Sequence, residues 1–257
     1  MNTKALLRTI VLLGILLSAA ARAETATQVS VAAAANLTYV LAPLNAAYAK
    51  ADPTITVTSE IGASGSLVAQ ISNGAPYDVF LSADMDFPKK LIAAGGADGA
   101  SLVTFAFGRL VLWTTRKDVA LASVEAVVRD PSVRKIAIAN PKSAPYGRAA
   151  EEVLAALGLA AEATPKTVFG ENITQTAQFV SSGNADAGFV AYSLVVAPNL
   201  KEKGLWIEVP ASLYKPIAQG AVLTRKGASN PAARRYLQFL ASPEARAVFA
   251  QFGYGLP

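Results

Sequence analysis

Short apolar runs alternate with longer Ala- and Leu-rich stretches along most of the chain. A short run of β-branched and apolar residues is typical of a buried strand, and apolar residues spaced three and four apart are typical of a helix. The pattern predicts strands at 29–33, 55–59, 78–82, 109–115, 135–139, 167–169, 187–190, 206–209 and 217–224. It predicts helices at 37–50, 66–72, 89–94, 123–129, 147–157, 173–181, 231–241 and 243–252.

This alternation of strands and helices predicts an α/β fold in which helices cover both faces of parallel sheets. The number of strand–helix units indicates two sheets rather than one. No Pro-rich or low-complexity linker marks a boundary between them. We therefore expect the chain to cross between the two units through strands, at 109–115 and 217–224.

The N-terminus has the pattern of an export signal. Lys4 and Arg8 precede an apolar run at 10–17, and Ala21-Arg22-Ala23 matches a small-x-small cleavage site. The apolar run is shorter than the roughly 20 residues that a membrane span needs. The sequence therefore predicts a signal peptide at 1–23, cleaved after Ala23, and a periplasmic mature protein.

Cleavage changes the charge of the chain. Loss of the three basic residues in the signal lowers the net charge from +5 to +2, with 20 basic and 18 acidic residues remaining. A nucleic-acid partner requires a basic face, and this balance gives no reason to expect one.

The composition excludes several classes of chemistry. The chain has no cysteine and no histidine, so it cannot form a Ser-His-Asp or Cys-His triad, a Cys/His zinc site or a disulfide framework. Asp84 and Asp86 are possible metal ligands, but acidic residues just before a helix are more often caps. No cofactor is expected.

Four predicted strand-to-helix junctions share small, polar residues. They lie at 34–38, 62–66, 140–147 and 170–174. Helix starts leave backbone N–H groups unpaired and carry partial positive charge, so they bind anions without Lys or Arg. Ser64 adds a hydroxyl, whereas Asn36 has the ordinary alternative of a helix cap. Ligands of open α/β sheets bind at such junctions, and four together would suit a compact oxyanion.

The chain resembles the periplasmic molybdate-binding proteins of ABC importers over essentially its whole mature length. The resemblance is carried by the segments VAAAANLT (31–38), GASGSLVAQ (62–70), NGAPYDVFLSAD (73–84), GRLVLW (108–113), IAIANPKSAPYG (136–147), GFVA (188–191) and FGYGLP (252–257). It implies a two-lobed, type II periplasmic binding protein fold, in which each lobe is a mostly parallel sheet flanked by helices. The expected lobes are 24–107 with 222–257, and 108–221.

The resemblance also implies the ligand contacts. Backbone amides of Ala35 and Asn36 would donate to the anion, with the Asn36 side chain as a further candidate donor. Ser64 would donate through its hydroxyl and amide, and Tyr146 and Ile173 through their backbone N–H groups. The metal would be held only as an oxyanion, through the oxygens that Asn36, Ser64, Tyr146 and Ile173 contact.

The sequence departs from the family pattern at two places. Many members carry serine where Asn36 stands, and some carry threonine where Ala35 stands. Many also direct a tyrosine hydroxyl at the anion from the position that aligns with Ala191, where this chain has Tyr192 as the next residue.

The function expected from these features is that of an exported, monomeric, non-enzymatic receptor. It would capture molybdate and tungstate between two lobes and deliver them to the membrane permease of an ABC importer. One alternative is a receptor for another small anion, such as sulfate or phosphate. A second is a dehydratase-like enzyme on the same fold, although the junctions offer no obvious acid–base pair.

Overall fold

The computed structural model describes residues 28–257, so the predicted signal peptide at 1–23 lies outside the described residues. The strands are β1 (Gln28–Ala34), β2 (Thr56–Gly62), β3 (Val79–Ser82), β4 (Val103–Gly108), β5 (Leu110–Thr114), β6 (Ile136–Ala139), β7 (Thr167–Gly170), β8 (Ala187–Ala191), β9 (Leu205–Glu208) and β10 (Ile217–Leu223). The α-helices are α1 (Leu41–Ala51), α2 (Ser64–Ser72), α3 (Asp86–Ala93), α4 (Val124–Arg129), α5 (Pro145–Ala156), α6 (Ala160–Ala163), α7 (Ile173–Ser181), α8 (Tyr192–Val195), α9 (Pro231–Phe239) and α10 (Pro243–Gln251).

The strands form two sheets of five, with the orders β2-β1-β3-β10-β4 and β7-β6-β8-β5-β9. We call the parts of the chain built on them the first and the second lobe. In each sheet, the first two pairings in this order are parallel and the last two are antiparallel. The two-lobed α/β architecture is therefore confirmed, with sheets that are evenly mixed rather than mostly parallel.

Alternation along the central strands places apolar side chains on both faces of the first sheet. Val79 and Leu81 of β3 pack with α1, α9 and α10, whereas Phe80 between them packs with α2 and α3. Successive strand residues point to opposite faces. A strand that is apolar throughout is thus buried on both sides, and the helices cover both faces as the sequence predicts.

The chain crosses between the sheets at short connections. Arg109 separates β4 of the first sheet from β5 of the second, and residues 209–216 return the chain from β9 to β10. β10 pairs with β3 and β4 of the first sheet, and this pairing includes residues 217–221. The predicted lobe limits assign those residues to the second lobe. The exact division of the chain into lobes stays a prediction.

Several local features differ from the sequence prediction. The pattern missed β4 and the short helices α6 and α8. The helix predicted from residue 37 begins at Leu41, and a 3₁₀ turn at Ala35–Leu37 comes before it. Trp206 belongs to an apolar run typical of a buried strand, but it lies on the edge strand β9 and is 37% exposed. Among residues 28–257, no helix combines the length and apolar character needed to cross a bilayer.

Candidate functional site

A small cavity lies between the two lobes, where the four predicted junctions meet. The five residues predicted to bind the ligand, Ala35, Asn36, Ser64, Tyr146 and Ile173, all line it. The remaining lining residues are Ala34, Gly62, Ala63, Ala83, Ala144, Pro145 and Asn172. The structure thus brings residues that are up to 139 positions apart in sequence to one point between the sheets.

The helical segments that begin at the cavity are mostly uncapped. Ala34, Ala63 and Ala144 occupy the N-cap positions of the 3₁₀ turn, α2 and α5, and no side chain accepts a hydrogen bond there. Alanine is a poor N-cap because it offers no acceptor. By contrast, Ser123 and Ser242 cap α4 and α10, which begin elsewhere. Three helical starts therefore present N–H groups to a space that an anion could fill.

Ser64 presents a hydroxyl with a defined direction. Its Oγ accepts a hydrogen bond from the Ala83 N–H at 3.1 Å, and its side chain is buried. A hydroxyl that accepts from an amide still has its own hydrogen to donate. The backbone of Ala83 thus orients Ser64 as a donor in the wall of the cavity.

The fourth junction differs because α7 has a side-chain cap. Asn172 Oδ1 accepts from the N–H groups of Thr174 and Gln175, both at 3.0 Å. These bonds satisfy the second and third N–H groups of the helix. The first N–H, that of Ile173, takes no part in the cap and belongs to a residue that lines the cavity.

The Asn36 side chain is engaged within the protein. Its Nδ2 donates to Gln219 Oε1 at 2.8 Å and to Tyr254 Oη at 2.7 Å. Gln219 cannot be reversed to change this, since its Nε2 donates to the carbonyls of Ala83 and Ile217. Both amide hydrogens of Asn36 are therefore used within the protein, and this geometry favours its backbone N–H over its side chain as a donor to a ligand. Asn36 Oδ1 is buried without a partner among the described residues.

Tyr146 presents its backbone rather than its phenol to the site. A Cβ on Gly108 would overlap the Tyr146 hydroxyl, so the phenol extends toward the crossing between β4 and β5. Burial raises the pKa of Tyr146 well above its ordinary value, and the nearby Tyr254 and Tyr214 raise it further. The ring stays neutral at physiological pH and contributes no charge.

Tyr192 does not take the place of the family tyrosine aligned with Ala191. Its ring packs edge-on against Trp206, with centroids 4.8 Å apart, and lies under the Arg109 guanidinium at 4.3 Å. It is not among the residues that line the cavity. At the start of α8, the Tyr192 ring instead packs between the lobes against Gly253 of the first lobe, where an added Cβ would overlap it.

Charged groups stay at the margin of the site. Among the described residues, those that line the cavity include no Asp, Glu, Lys or Arg. Arg148 of α5 lies nearby, but it forms an ion pair across the lobes with Asp84. Asp84 also accepts from the Phe87 N–H at 3.0 Å, as expected of a cap. No set of three carboxylates suited to a metal ion occurs in the described part of the chain.

Comparison with known proteins fits this geometry. The family model for the bacterial extracellular solute-binding proteins matches residues 29–255. The chain belongs to this family. It is thus a solute-binding protein and not an enzyme.

Several relatives of this solute-binding protein are named for molybdate. It is 42% identical over 250 residues to the molybdate-binding protein of Azotobacter vinelandii, covering 97% of each chain. It is 47% identical over 199 residues to that of Rhodobacter capsulatus, covering 77% of each. A solved structure of the Azotobacter vinelandii periplasmic molybdate-binding protein superposes with a TM-score of 0.84 at 36% identity, covering 89% of this chain and 99% of that one.

Four residues around the first junction were not identified from the sequence. Gln219 and Tyr254 bind the Asn36 side chain, Ser193 binds its carbonyl, and Thr174 binds the carbonyl of Ala35. One signal was available for Thr174: Asn36-Leu37-Thr38 and Asn172-Ile173-Thr174 repeat one pattern at two junctions. Nothing local marks the other three.

Proposed function

We propose that this chain captures molybdate between its two lobes through backbone N–H groups and the Ser64 hydroxyl. The observation that carries the proposal is the set of three helical starts that have alanine at the N-cap position and no side-chain cap. They surround a cavity lined by no charged side chain. Amides of Ala35, Asn36, Ser64, Tyr146 and Ile173 are the proposed backbone donors. The two close relatives named for molybdate support this choice of anion.

The donors suit a doubly charged oxyanion. A hydrogen bond to a charged group contributes about 1.5–3 kcal/mol net of its exchange with water, so five or six of them supply on the order of 10 kcal/mol before the cost of closing the lobes. The dipoles of the α-helices α2, α5 and α7 add partial positive charge at the three junctions where these helices begin. Neutral donors can therefore hold the anion without a cationic side chain.

The same donors oppose a protonated anion. The cavity has no carboxylate in its lining, so the O–H of hydrogen phosphate would lack a charged acceptor. Tungstate has the charge and tetrahedral shape of molybdate, and we propose that it binds as well. Sulfate differs mainly in size, so its rejection depends on the radius of the closed cavity.

We further propose how the receptor is delivered and used. Residues 1–23 act as a signal peptide cleaved after Ala23, and the mature chain works in the periplasm as a monomer. The lobes close on the anion by a hinge motion at the two crossings. The closed form is then recognised by the permease subunits of an ABC importer.

Calorimetry on residues 24–257 tests the ligand. Molybdate and tungstate are expected to bind at one site per chain, with sulfate and phosphate at least about 100-fold weaker, a difference of about 2.7 kcal/mol. Saturating molybdate also raises the melting temperature, because a ligand specific to the folded state stabilises it. Tighter binding of sulfate or phosphate would refute the assignment of molybdate.

A further inference from the structure

The two carbonyls of the first junction each accept a hydroxyl from the opposite lobe. Thr174 Oγ1, on α7 of the second lobe, donates to the Ala35 carbonyl at 2.8 Å. Ser193 Oγ, on α8 of the second lobe, donates to the Asn36 carbonyl at 2.9 Å. These two bonds span the cleft beside the proposed anion site.

Bonds within the first lobe support the same two carbonyls. Thr38 donates to the Ala35 carbonyl through Oγ1 at 2.6 Å and through its N–H at 3.1 Å. Tyr254 Oη lies 3.0 Å from the Asn36 carbonyl and 3.1 Å from Ser193 Oγ. The first junction is therefore partly held in the first lobe alone, and the second lobe completes its hydrogen bonds.

Peptide geometry links the Ala35 carbonyl to the anion. The Ala35 carbonyl and the Asn36 N–H belong to one peptide group, and the described peptide bonds are all trans. In a trans peptide, the C=O and the N–H point in opposite directions. A donor that fixes the Ala35 carbonyl on one side consequently fixes the Asn36 N–H on the other.

We infer that Thr174 is a positioning residue that engages the Ala35 carbonyl when the lobes close and so holds the Asn36 N–H toward the bound anion. Ser193 supports it by fixing the next peptide group through the Asn36 carbonyl. This inference rests on the proposed function. Neither hydroxyl is assigned a contact with the anion. Their effect is transmitted through the peptide group that each one orients.

The local structure makes Thr174 suitable for a direct test. Its N–H is already bonded to the Asn172 cap, so α7 does not depend on its hydroxyl. Thr174→Val keeps the β-branched shape and removes only the hydroxyl, whereas Thr174→Ser keeps the hydroxyl. Thr167 offers a matched control, since its Oγ1 donates to the Ala163 carbonyl at 2.9 Å within the second lobe.

The experiment measures molybdate affinity by calorimetry and ligand-free stability by urea unfolding. Thr174→Val is expected to weaken binding about tenfold and to leave unfolding of the ligand-free protein unchanged, because the inference assigns this bond to the closed form. Thr174→Ser should bind within about twofold of wild type. Ser193→Ala should also weaken binding, and Thr167→Val should leave affinity unchanged.

Three results would overturn the inference. The first is wild-type molybdate affinity in both Thr174→Val and Ser193→Ala. The second is a loss of molybdate affinity in Thr174→Ser as large as that in Thr174→Val. The third is a loss of molybdate affinity in the control Thr167→Val as large as that in Thr174→Val. Failure of the wild-type protein to bind molybdate would instead count against the proposed ligand. The affinity of the same variants for sulfate, the rival anion, is then measured. Failure of the inference and failure of the proposed ligand can therefore be distinguished.

Discussion

Asn36 Nδ2 lies 2.8 Å from Gln219 Oε1, and this bond joins the 3₁₀ turn after β1 to the middle of β10. Gln219 is fully buried and fixed by two backbone carbonyls. The Asn36 side chain therefore supports the first lobe, and only its backbone is available to the anion.

Asn36→Ala is accordingly expected to destabilise the ligand-free protein. It leaves Gln219 Oε1 buried without its partner, at a cost of about 1–3 kcal/mol in the free energy of unfolding. Urea denaturation measures this loss. Asn184→Ala, at an exposed amide, is the control and should stay within about 0.5 kcal/mol of wild type. Unchanged stability with a large loss of molybdate affinity would instead indicate a direct contact from the side chain.

Ser64→Ala should weaken molybdate binding by about 1–3 kcal/mol, because the anion loses a hydroxyl donor. A smaller loss of stability should accompany it, since the Ala83 N–H loses its acceptor. Calorimetry and thermal unfolding separate the two effects. Ser66→Ala in the same helical turn, outside the cavity lining, should bind normally. The contact is disproved if Ser64→Ala binds molybdate as well as Ser66→Ala does.

Gly65→Ala should impair closure of the lobes. The Gly65 N–H donates to the Ser143 carbonyl across the cleft at 2.9 Å. An added Cβ would lie 3.0 Å from Ser143 Cα and 2.9 Å from the Phe87 ring. We expect molybdate affinity to fall at least about tenfold, as the loss of one hydrogen bond to a charged group would cause. Small-angle scattering should show a less compact bound form, and Gly99→Ala, far from the cleft, should close normally. Full closure of Gly65→Ala would contradict this prediction.

Molybdate affinity should change little between pH 6 and pH 9. Tyr146 is the one titratable side chain in the described lining, and burial raises its pKa well above the ordinary value. A group whose pKa lies far above the range stays protonated across it. Calorimetry at several pH values tests this. A tenfold loss of affinity toward pH 9 would reveal a titrating cation at the anion.

The sequence predicts the parts of this molecule that depend on local pattern. Apolar runs mark most strands, and small polar residues mark all four junctions because helix starts have a local signature. It missed β4 because Val103–Gly108 runs directly into β5, and local pattern does not show where a chain leaves one sheet for another. The exposure of Trp206 is equally hidden from local pattern, since an apolar residue on an edge strand has the same pattern as one on a central strand.

The partners of Asn36 show why the rest of the site was not predicted. Gln219 and Tyr254 lie 183 and 218 residues away along the chain. Their contact depends on where β10 and the C-terminal segment pack, which tertiary structure decides. Composition excluded a histidine- or cysteine-based site, but it could not show which polar side chains hold one another and which remain for a ligand.

The most direct test of the central claim is a crystal structure of residues 24–257 grown with molybdate, with molybdenum located by its anomalous scattering. We predict a molybdenum peak in the cavity lined by Ser64, Tyr146 and Ile173, with oxygens bonded to backbone N–H groups and to Ser64 Oγ. No Lys or Arg should lie within hydrogen-bonding distance of the anion. A peak elsewhere, or Arg148 released from Asp84 to clamp the oxygens, would contradict the account.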